Sequence, residues 1–277
     1  MRIFITGRSG FIATNLIKSL TPHHVIGTSS RDEDITIALT TFHPDVICHL
    51  AAESYDSDQM VRANILLTHS ILEYCRHTPV QKLLVFGSSS EYGRKDHPLT
   101  EKDSLEPQSI YEGTKAAASL LSRSYAYTYK IPTVIIRPLS VYGPHEHSNK
   151  LITRIFTGRV TRLNDGMHDW TYIDDFINAV LTIIRHPMAD VFDVVNIGLG
   201  VQRSNQDVLQ IAEGILNKRV SVEVQSISMG VGTDSQMWVC DPTHLKTRYG
   251  FTPSISLEEG MKRHYEWLMN SLITPHT

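Results

Sequence analysis

The chain opens with Arg2-Ile3-Phe4-Ile5-Thr6-Gly7-Arg8-Ser9-Gly10-Phe11-Ile12-Ala13, and this stretch decides the fold. Residues 2–6 are apolar and β-prone, which predicts a strand, and the apolar residues of 10–20 recur at helical spacing. Gly7 and Gly10 permit a tight turn whose backbone N–H groups approach a pyrophosphate at the positive end of the helix. Ala13 suits the third position of the pattern, which requires only close packing of helix on strand. The stretch therefore predicts a strand–turn–helix unit that binds a dinucleotide.

Short apolar strands alternate with helical patterns along the first half of the chain. Strands are predicted at Arg2–Thr6, His24–Gly27, Val46–Leu50, Lys82–Phe86 and Thr133–Arg137. Helices are predicted at Gly10–Leu20, Ile35–Phe42, Gln59–His77 and Ile110–Lys130. Because parallel strands need helical crossovers, the alternation predicts an α/β fold with a Rossmann-type, doubly wound parallel sheet.

The rhythm changes after Pro144, where residues 145–149 are polar and loop-like. Later strands are predicted at Phe192–Ile197 and Val220–Val224, between helices at Asp174–Arg185, Asn205–Asn217 and Leu257–Leu272. We assign residues 1–144, with returning segments near 169–200, to the dinucleotide-binding domain. Residues 145–277 form mainly a smaller C-terminal α/β cap that binds the substrate. No Pro/Gly/Ser-rich linker separates the two parts, so we do not expect the cap to fold alone.

Composition limits the classes of function. The 277 residues carry a net charge of -3, which gives no general attraction to nucleic acid or to an anionic membrane. Cys48, Cys75 and Cys240 are widely spaced and form neither a disulfide framework nor a metal-ligand pattern, which favours a reducing compartment. The N-terminal strand leaves no room for a signal peptide, and no apolar run approaches the length of a membrane span. We therefore expect a cytoplasmic protein that binds no metal.

The end of the second strand bears on the choice of cofactor. It reads Gly27-Thr28-Ser29-Ser30-Arg31, without the carboxylate that usually bonds the ribose hydroxyls of NAD. Small hydroxyls beside an arginine accept a 2′-phosphate, so the sequence favours NADP(H), with NAD(H) as the alternative. Asp34 and Ile35 suit the adenine, the first bonding its amine and the second packing on its face.

A tyrosine and a lysine suggest the reacting centre. Strand Lys82–Phe86 runs into Gly87-Ser88-Ser89-Ser90-Glu91-Tyr92-Gly93, and Tyr111 and Lys115 follow near the start of a helix. Residues four apart share a helix face, so these two side chains project together. A neighbouring ammonium and a positively charged nicotinamide both lower the pKa of a tyrosine, which then exchanges a proton with an alcohol or carbonyl.

In its motifs the chain resembles the extended short-chain dehydrogenase/reductase superfamily, in particular the nucleotide-sugar epimerase/dehydratase/reductase branch. The matching segments are TGRSGFIA at 6–13, HLAA at 49–52, GSSSEYG at 87–93, YEGTK at 111–115, RPLSVYGP at 137–144, DWTYIDD at 169–175, NIGLG at 196–200 and LEEGM at 257–261. They occur in family order and cover essentially the whole chain.

The resemblance implies roles for individual residues. Tyr111 is the acid/base, and Lys115 lowers its pKa and bonds the ribose. A strand-end serine orients the substrate oxygen: a gap-free match to the 4-keto-sugar reductases gives Ser89, and counting back from Tyr92 against the longer epimerase version gives Ser88. We prefer Ser89. The expected cofactor contacts are Gly7, Ser9, Gly10, Phe11, Ile12, Ser29, Arg31, Asp34, Ile35, Leu50, Ala51, Ala52, Asn64, Tyr111, Lys115, Pro138, Ser140 and Val141.

Three chemistries share this family scaffold: 4-keto-sugar reduction, epimerisation through a transient ketone, and 4,6-dehydration. Dehydratases carry a carboxylate two residues after the catalytic hydroxyl, and Glu91 stands two residues after Ser89. The loop is nevertheless one residue shorter than theirs and resembles GDP-4-keto-6-deoxymannose reductases. The cofactor interpretation and the short chain favour NADPH-dependent reduction of a nucleotide-linked 4-keto-6-deoxyhexose. A 4-epimerase or 4,6-dehydratase with retained NAD is the alternative, and a non-catalytic cofactor sensor a remote one.

The substrate half departs from the family pattern. His168 stands where an arginine usually clamps the diphosphate, and a second usual arginine is missing around 236–238. Arg154, Arg159, Arg162 or Arg203 could replace them, or the substrate could be a smaller sugar or another carbonyl compound. Ser90, Glu91, His145 and His168 are candidate substrate contacts. The resemblance also implies a homodimer, paired through the helices Gln59–His77 and Ile110–Lys130.

Overall fold

A computed structural model of the protein describes residues 1–21, 24–29, 34–225 and 237–273. Its strands are β1 Arg2–Thr6, β2 Val25–Thr28, β3 Val46–His49, β4 Lys82–Phe86, β5 Thr133–Pro138, β6 Ser140–Tyr142, β7 Arg162–Asn164, β8 Met167–Tyr172, β9 Phe192–Ile197, β10 Gln202–Ser204 and β11 Glu223–Gln225. Its α-helices are α1 Phe11–Leu20, α2 Ile35–Phe42, α3 Ser57–Met60, α4 Leu67–His77, α5 Ile110–Tyr129, α6 Leu151–Phe156, α7 Ile173–Arg185, α8 Asn205–Leu216, α9 Thr243–Tyr249 and α10 Leu257–Ile273.

The central sheet has the strand order β2-β1-β3-β4-β5-β9, and every recorded pairing in it is parallel. Consecutive residues of β1 point to opposite faces: Ile3 and Ile5 join one buried apolar cluster and Phe4 joins another. Both faces of the sheet are therefore covered, as parallel sheets require. The predicted Rossmann-type, doubly wound fold is confirmed.

The strand order places a binding crevice at the carboxyl ends of the neighbouring strands β1 and β3. The chain leaves β1 for β2 on one side and returns to β3 on the other, so the crossovers diverge between β1 and β3. Ligands of open α/β sheets bind in the crevice at the carboxyl ends of such strands. The Thr6 hydroxyl links the carboxyl end of β1 to that of β3. It accepts the Ala51 N–H at 3.0 Å and lies 2.8 Å from Nδ1 of the buried His49.

One predicted helix differs in the structure. The segment predicted as Gln59–His77 begins at Ser57, passes through a π-helical stretch at Val61–Leu66 and continues as α4. Asn64 lies in that stretch, where its amide bonds both backbone groups of Glu53 and the Thr114 hydroxyl at 2.8–2.9 Å. Hydrophobic periodicity predicts the helix but not its π-helical stretch. That stretch contains Asn64, whose bonds reach residues far away in the sequence.

The C-terminal half divides its strands among three sheets. Strand β9 joins the central sheet beside β5, while β10-β8-β6 and β11-β7 form two small sheets of their own. The strand predicted at Val220–Val224 lies instead at Glu223–Gln225, because its pairing with β7 sets Val224 opposite Leu163. Among the described residues, no helix is both long and apolar enough to cross a membrane.

Candidate active site

The turn after β1 forms a narrow backbone cradle. Gly7 has a φ of +70°, and a Cβ there would lie 2.8 Å from the Ala51 Cα atom, so glycine is required by both conformation and space. Gly10 donates its N–H to the Gly7 carbonyl at 2.9 Å and caps α1 without a side-chain hydrogen bond. The first N–H groups of α1 are therefore available to an anion at the positive end of the helix.

A cavity of about 690 Å³ lies over this turn. The predicted cofactor residues that line it are Gly7, Ser9, Gly10, Ser29, Ile35, Leu50, Ala51 and Ala52. The glycine cradle and the helix N-terminus fit the pyrophosphate of NAD, and the apolar wall that includes Ile35 and Leu50 fits its adenosine half. These residues would hold that part of the cofactor.

Asp34 and Asn64, two of the predicted cofactor contacts, hydrogen-bond to the backbone of the protein, and a third, Arg31, is not described. The Asp34 carboxylate caps α2 by accepting the N–H groups of Thr36 and Ile37 at 2.8 and 3.3 Å, instead of lining the cavity. Asn64 is buried and braces the loop at Glu53. Arg31, on which the expected 2′-phosphate contact depends, lies outside the described residues.

The start of α5 positions the tyrosine and the lysine. Ser109 caps the helix by accepting the Glu112 N–H at 3.3 Å, and Glu112 accepts the Ser109 N–H at 3.1 Å. This capping box fixes the first turn, which carries Tyr111. One turn later Lys115 is buried, and its ammonium donates to the backbone carbonyl of Phe86 at the end of β4.

The electrostatic environment of these groups follows from burial. Burial raises the pKa of Tyr111, and a hydrogen bond with the Ser88 side chain opposes that rise. Burial lowers the pKa of Lys115 to about 8, while the negative charge of Glu91 acts in the opposite direction. Without a positively charged nicotinamide, the described surroundings therefore favour a neutral tyrosine, which can donate a proton. A lower pKa would favour the tyrosinate, which can accept one.

Of the three serines, Ser88 rather than the preferred Ser89 is the one whose side chain acts on the pKa of Tyr111, which it lowers. The Ser88 hydroxyl also lies 2.7 Å from the Ser90 hydroxyl. Ser88, Ser89 and Ser90 all border the neighbouring cavity. Glu91 does not border it: its side chain is 0% exposed and faces the protein interior. The Glu91 carboxylate, a predicted substrate contact, instead turns back to the Ser88 N–H and to Arg137, away from this cavity.

A second cavity, of about 550 Å³, adjoins the reacting residues. The predicted residues that line it are Phe11, Ile12, Ser88, Ser89, Ser90, Tyr111, Pro138, Ser140, Val141 and His168. Because Gly10 borders the first cavity and Phe11 the second, the two cavities flank the N-terminus of α1. An elongated dinucleotide can therefore extend from the cradle to Tyr111.

The second cavity also has a cationic wall. Lys150, Arg154 and Arg162 border it, while Arg159 and Arg203 are absent from its described lining. His168 borders it beside Trp170 and lies 3.0 Å from the Ser140 hydroxyl through Nδ1. Three long basic side chains with His168 can bind an anion in place of the missing family arginines.

Sequence reasoning missed Glu146, the one carboxylate among the described residues of this lining. Its side chain is 3% exposed, accepts the Thr153 hydroxyl at 2.5 Å and lies 3.5 Å from Nε2 of the buried His264. The neighbouring His145 packs on Trp267 instead, with ring centroids 5.0 Å apart, and does not border the cavity. The partners of Glu146 are distant in sequence, so no local motif marks this residue.

Comparison with known proteins agrees with this architecture. A family model described as "NAD dependent epimerase/dehydratase family" matches residues 3–198. The low-salt glycan biosynthesis protein Agl12 of Haloferax volcanii is 28% identical and is aligned over 95% of this chain and 96% of its own length. The probable UDP-glucuronate 4-epimerase of Rhizobium meliloti is 27% identical, over 100% of this chain and 99% of its own.

A solved structure shows the same fold. The UDP-glucuronic acid 4-epimerase of Bacillus cereus, in complex with NAD, superposes with a TM-score of 0.85 at 25% identity and covers 98% of this chain and 99% of that one. The resemblance inferred from the sequence motifs is thus confirmed over nearly the whole chain. The protein is a member of the NAD dependent epimerase/dehydratase family, within the extended short-chain dehydrogenase/reductase superfamily of enzymes.

Proposed function

We propose that the protein is an NAD-dependent nucleotide-sugar 4-epimerase. The observation that carries the proposal is the arrangement of Ser88, Tyr111 and Glu91. Ser88 borders the same cavity as Tyr111 and is the serine whose side chain lowers the pKa of Tyr111, and the residue two positions further is Ser90. A dehydratase needs a carboxylate at that place to remove the C5 proton, whereas an epimerase needs only the tyrosine, the serine and the cofactor.

The side chains have separate tasks in this mechanism. When bound, NAD supplies reversible hydride exchange at the sugar carbon. Tyr111 takes the proton from the sugar hydroxyl and later returns it, and the Ser88 hydroxyl bonds the same oxygen. Lys115 retains a positive charge below its pKa of about 8 and so stabilises a tyrosinate one helical turn away. The cap side of the cavity keeps the sugar beside these groups.

The cofactor belongs to the same proposal. The solved Bacillus cereus relative is in complex with NAD, and an epimerase regenerates its cofactor in every turnover. NAD is therefore preferred here over the NADP(H) that the Ser29-Ser30-Arg31 stretch favours. NADPH-dependent reduction of a 4-keto sugar, the activity expected from the sequence, is the second candidate function. The hydroxyl-rich end of β2 favours it.

The substrate class follows from charge. A nucleoside diphosphate carries negative charge between its sugar and its base, and Lys150, Arg154, Arg162 and His168 border the cavity in which Tyr111 lies. Guanidinium groups bond phosphate oxygens in bidentate geometry. UDP-glucose and UDP-glucuronic acid are the first substrates to test, since the second is the sugar nucleotide in the name of the Bacillus cereus relative.

The decisive experiment incubates the purified protein with UDP-glucose or UDP-glucuronic acid, with NAD or without addition, and separates the products by chromatography. We expect the C4 epimer to form with no net change in NADH absorbance. A 4-keto-6-deoxy product indicates a dehydratase instead. Consumption of NADPH with a 4-keto-6-deoxy nucleotide sugar, in the absence of epimer formation, supports the reductase. Separate titrations with NAD and NADP decide the cofactor, and tighter binding of NADP contradicts the proposal.

We also propose that the protein is a homodimer paired through α4 and α5. Large apolar side chains are exposed on α5 and just before α4: Leu66 is 54% exposed, Leu120 51% and Tyr127 50%. Packing against a second copy would remove this apolar surface from water. Light scattering at micromolar concentration should give twice the mass of the 31.3 kDa chain. A monomer that persists across the concentration series contradicts the proposal.

A further inference from the structure

Glu91 is a buried carboxylate beside the reacting centre that takes no part in the chemistry proposed above. It lies in the short 3₁₀ turn Ser89–Tyr92 that follows β4, and its side chain is 0% exposed. One carboxylate oxygen, Oε1, accepts the Ser88 N–H at 2.8 Å. The other, Oε2, accepts Nε–H of Arg137 at 3.0 Å. Both oxygens are thus engaged within the protein.

Arg137 is itself held in place from a distant part of the fold. It lies on β5, is 4% exposed, and its guanidinium carbon is 4.4 Å from the centre of the Tyr92 ring. The Tyr92 hydroxyl donates to Oδ1 of Asn196 on β9 at 2.8 Å. The position of the Glu91 carboxylate is therefore set by three neighbouring strands of the central sheet, and not by the 3₁₀ turn alone.

Gly87 leaves the space that this carboxylate occupies. A Cβ atom at Gly87 would lie only 2.3 Å from Oε1 of Glu91. Any side chain at residue 87 would displace the very oxygen that bonds the Ser88 N–H. Gly87 is therefore needed for the hydrogen bond between the Ser88 N–H and the Glu91 carboxylate.

We infer that Glu91 is a positioning residue, whose carboxylate fixes the Ser88 backbone so that the Ser88 hydroxyl meets Tyr111. This inference rests on the proposed function, which gives Ser88 and Tyr111 their roles. Glu91 itself touches neither substrate nor cofactor, since it does not border either cavity. An alternative is that the Glu91–Arg137 pair only stabilises the fold, and the variants below separate the two.

The test compares E91Q/R137M with E91L/R137M. Both variants lack the two buried charges, and their side chains at residue 91 are similar in size. Only glutamine keeps an oxygen that can accept the Ser88 N–H. Tyr55 and Glu112, the other groups whose charge acts on Tyr111, are the same in both. Any difference between the two variants therefore reports the bond to Ser88.

The first readout is kcat against KM for the UDP-sugar that the wild type epimerises. We expect kcat of E91L/R137M to fall about 10- to 100-fold below that of E91Q/R137M, with KM unchanged, which is less than the roughly 10²–10³-fold cost of removing a transition-state hydrogen-bond donor outright. Adding S88A should abolish the difference, because residues that act through one another are non-additive. Equal kcat values for the two variants, or a difference that persists with S88A, overturn the inference.

The second readout is the pKa of Tyr111 in cofactor-free protein, followed by NMR of ¹³Cζ-labelled tyrosine and assigned with Y111F. The Ser88 hydrogen bond lowers that pKa, so it should be higher in E91L/R137M than in E91Q/R137M. Equal values overturn the inference. This measurement remains decisive if the wild type turns over no UDP-sugar, so failure of the proposed function stays distinguishable.

Gly87→Ala supplies an independent variant if the charge-free proteins do not fold. It retains Glu91 and Arg137 but pushes Oε1 away from the Ser88 N–H. Circular dichroism checks that each variant is folded. We expect G87A to raise the pKa of Tyr111 and to lower kcat, again without effect once S88A is present. A folded G87A protein with wild-type values for both contradicts the positioning role.

Discussion

Tyr111→Phe should reduce kcat by about 10²–10⁴-fold, the contribution typical of a positioned acid/base. The change removes only the phenol oxygen, the group that exchanges the proton and whose pKa the Ser88 side chain lowers. The phenylalanine ring fills the same space on α5, so the fold and the cavities should persist. NAD should bind with a Kd within about threefold of the wild type, because the cradle at Gly7–Gly10 lies in the other cavity.

The measurement is steady-state epimerisation of the UDP-sugar that the wild type accepts, together with a titration by NAD. Tyr127→Phe is the matched control, since it removes a phenol oxygen from the same helix at a residue that borders neither cavity and keeps its ring. A Tyr111→Phe protein that keeps most of its kcat removes the mechanism proposed here. Loss of NAD binding as well would mean that the variant had disturbed the cofactor site instead.

The local parts of the fold were predictable from sequence. Strand β1, helix α2, β4 and β9 occupy the ranges expected from apolar runs and periodicity, because each of these segments carries its own apolar pattern. Strands β6, β7, β8 and β10 were not predicted. Polar residues interrupt their apolar patterns and they pair with segments far away, so neither alternation nor flanking turns distinguish them from loops.

Some residues of the candidate site are likewise predictable from local motifs, and others depend on contacts with distant parts of the chain. Gly7, Tyr111 and Lys115 belong to local motifs in which spacing alone dictates the geometry, and the structure places all three beside the cavities or the reacting centre. The choice between Ser88 and Ser89 depends on how Glu91 folds back, and its partner Arg137 is 46 residues away. Glu146 likewise depends on His264 and Thr153. Long-range contacts of this kind leave no mark in the local sequence.

Ser88→Ala should reduce kcat by about 10²–10³-fold, as expected when a hydrogen bond to the reacting oxygen is lost, whereas Ser89→Ala should stay within about threefold of the wild type. The reason is that Ser88, and not Ser89, is the serine whose side chain lowers the pKa of Tyr111. KM for the UDP-sugar should change little in either variant, because the cationic wall of the cavity is untouched. Steady-state kinetics on the two proteins, side by side, provides the measurement.

Ser90→Ala is the control that isolates this contact. The hydroxyls of Ser88 and Ser90 lie 2.7 Å apart, so both substitutions break that pair, but only Ser88→Ala also removes the hydroxyl that lowers the pKa of Tyr111. A large loss in Ser88→Ala with a small one in Ser90→Ala therefore assigns the effect to the tyrosine contact. If Ser89→Ala is the most damaged variant, the gap-free match to the 4-keto-sugar reductases describes the loop correctly. Glu91 would then stand two residues after the catalytic serine, the spacing that a dehydratase requires.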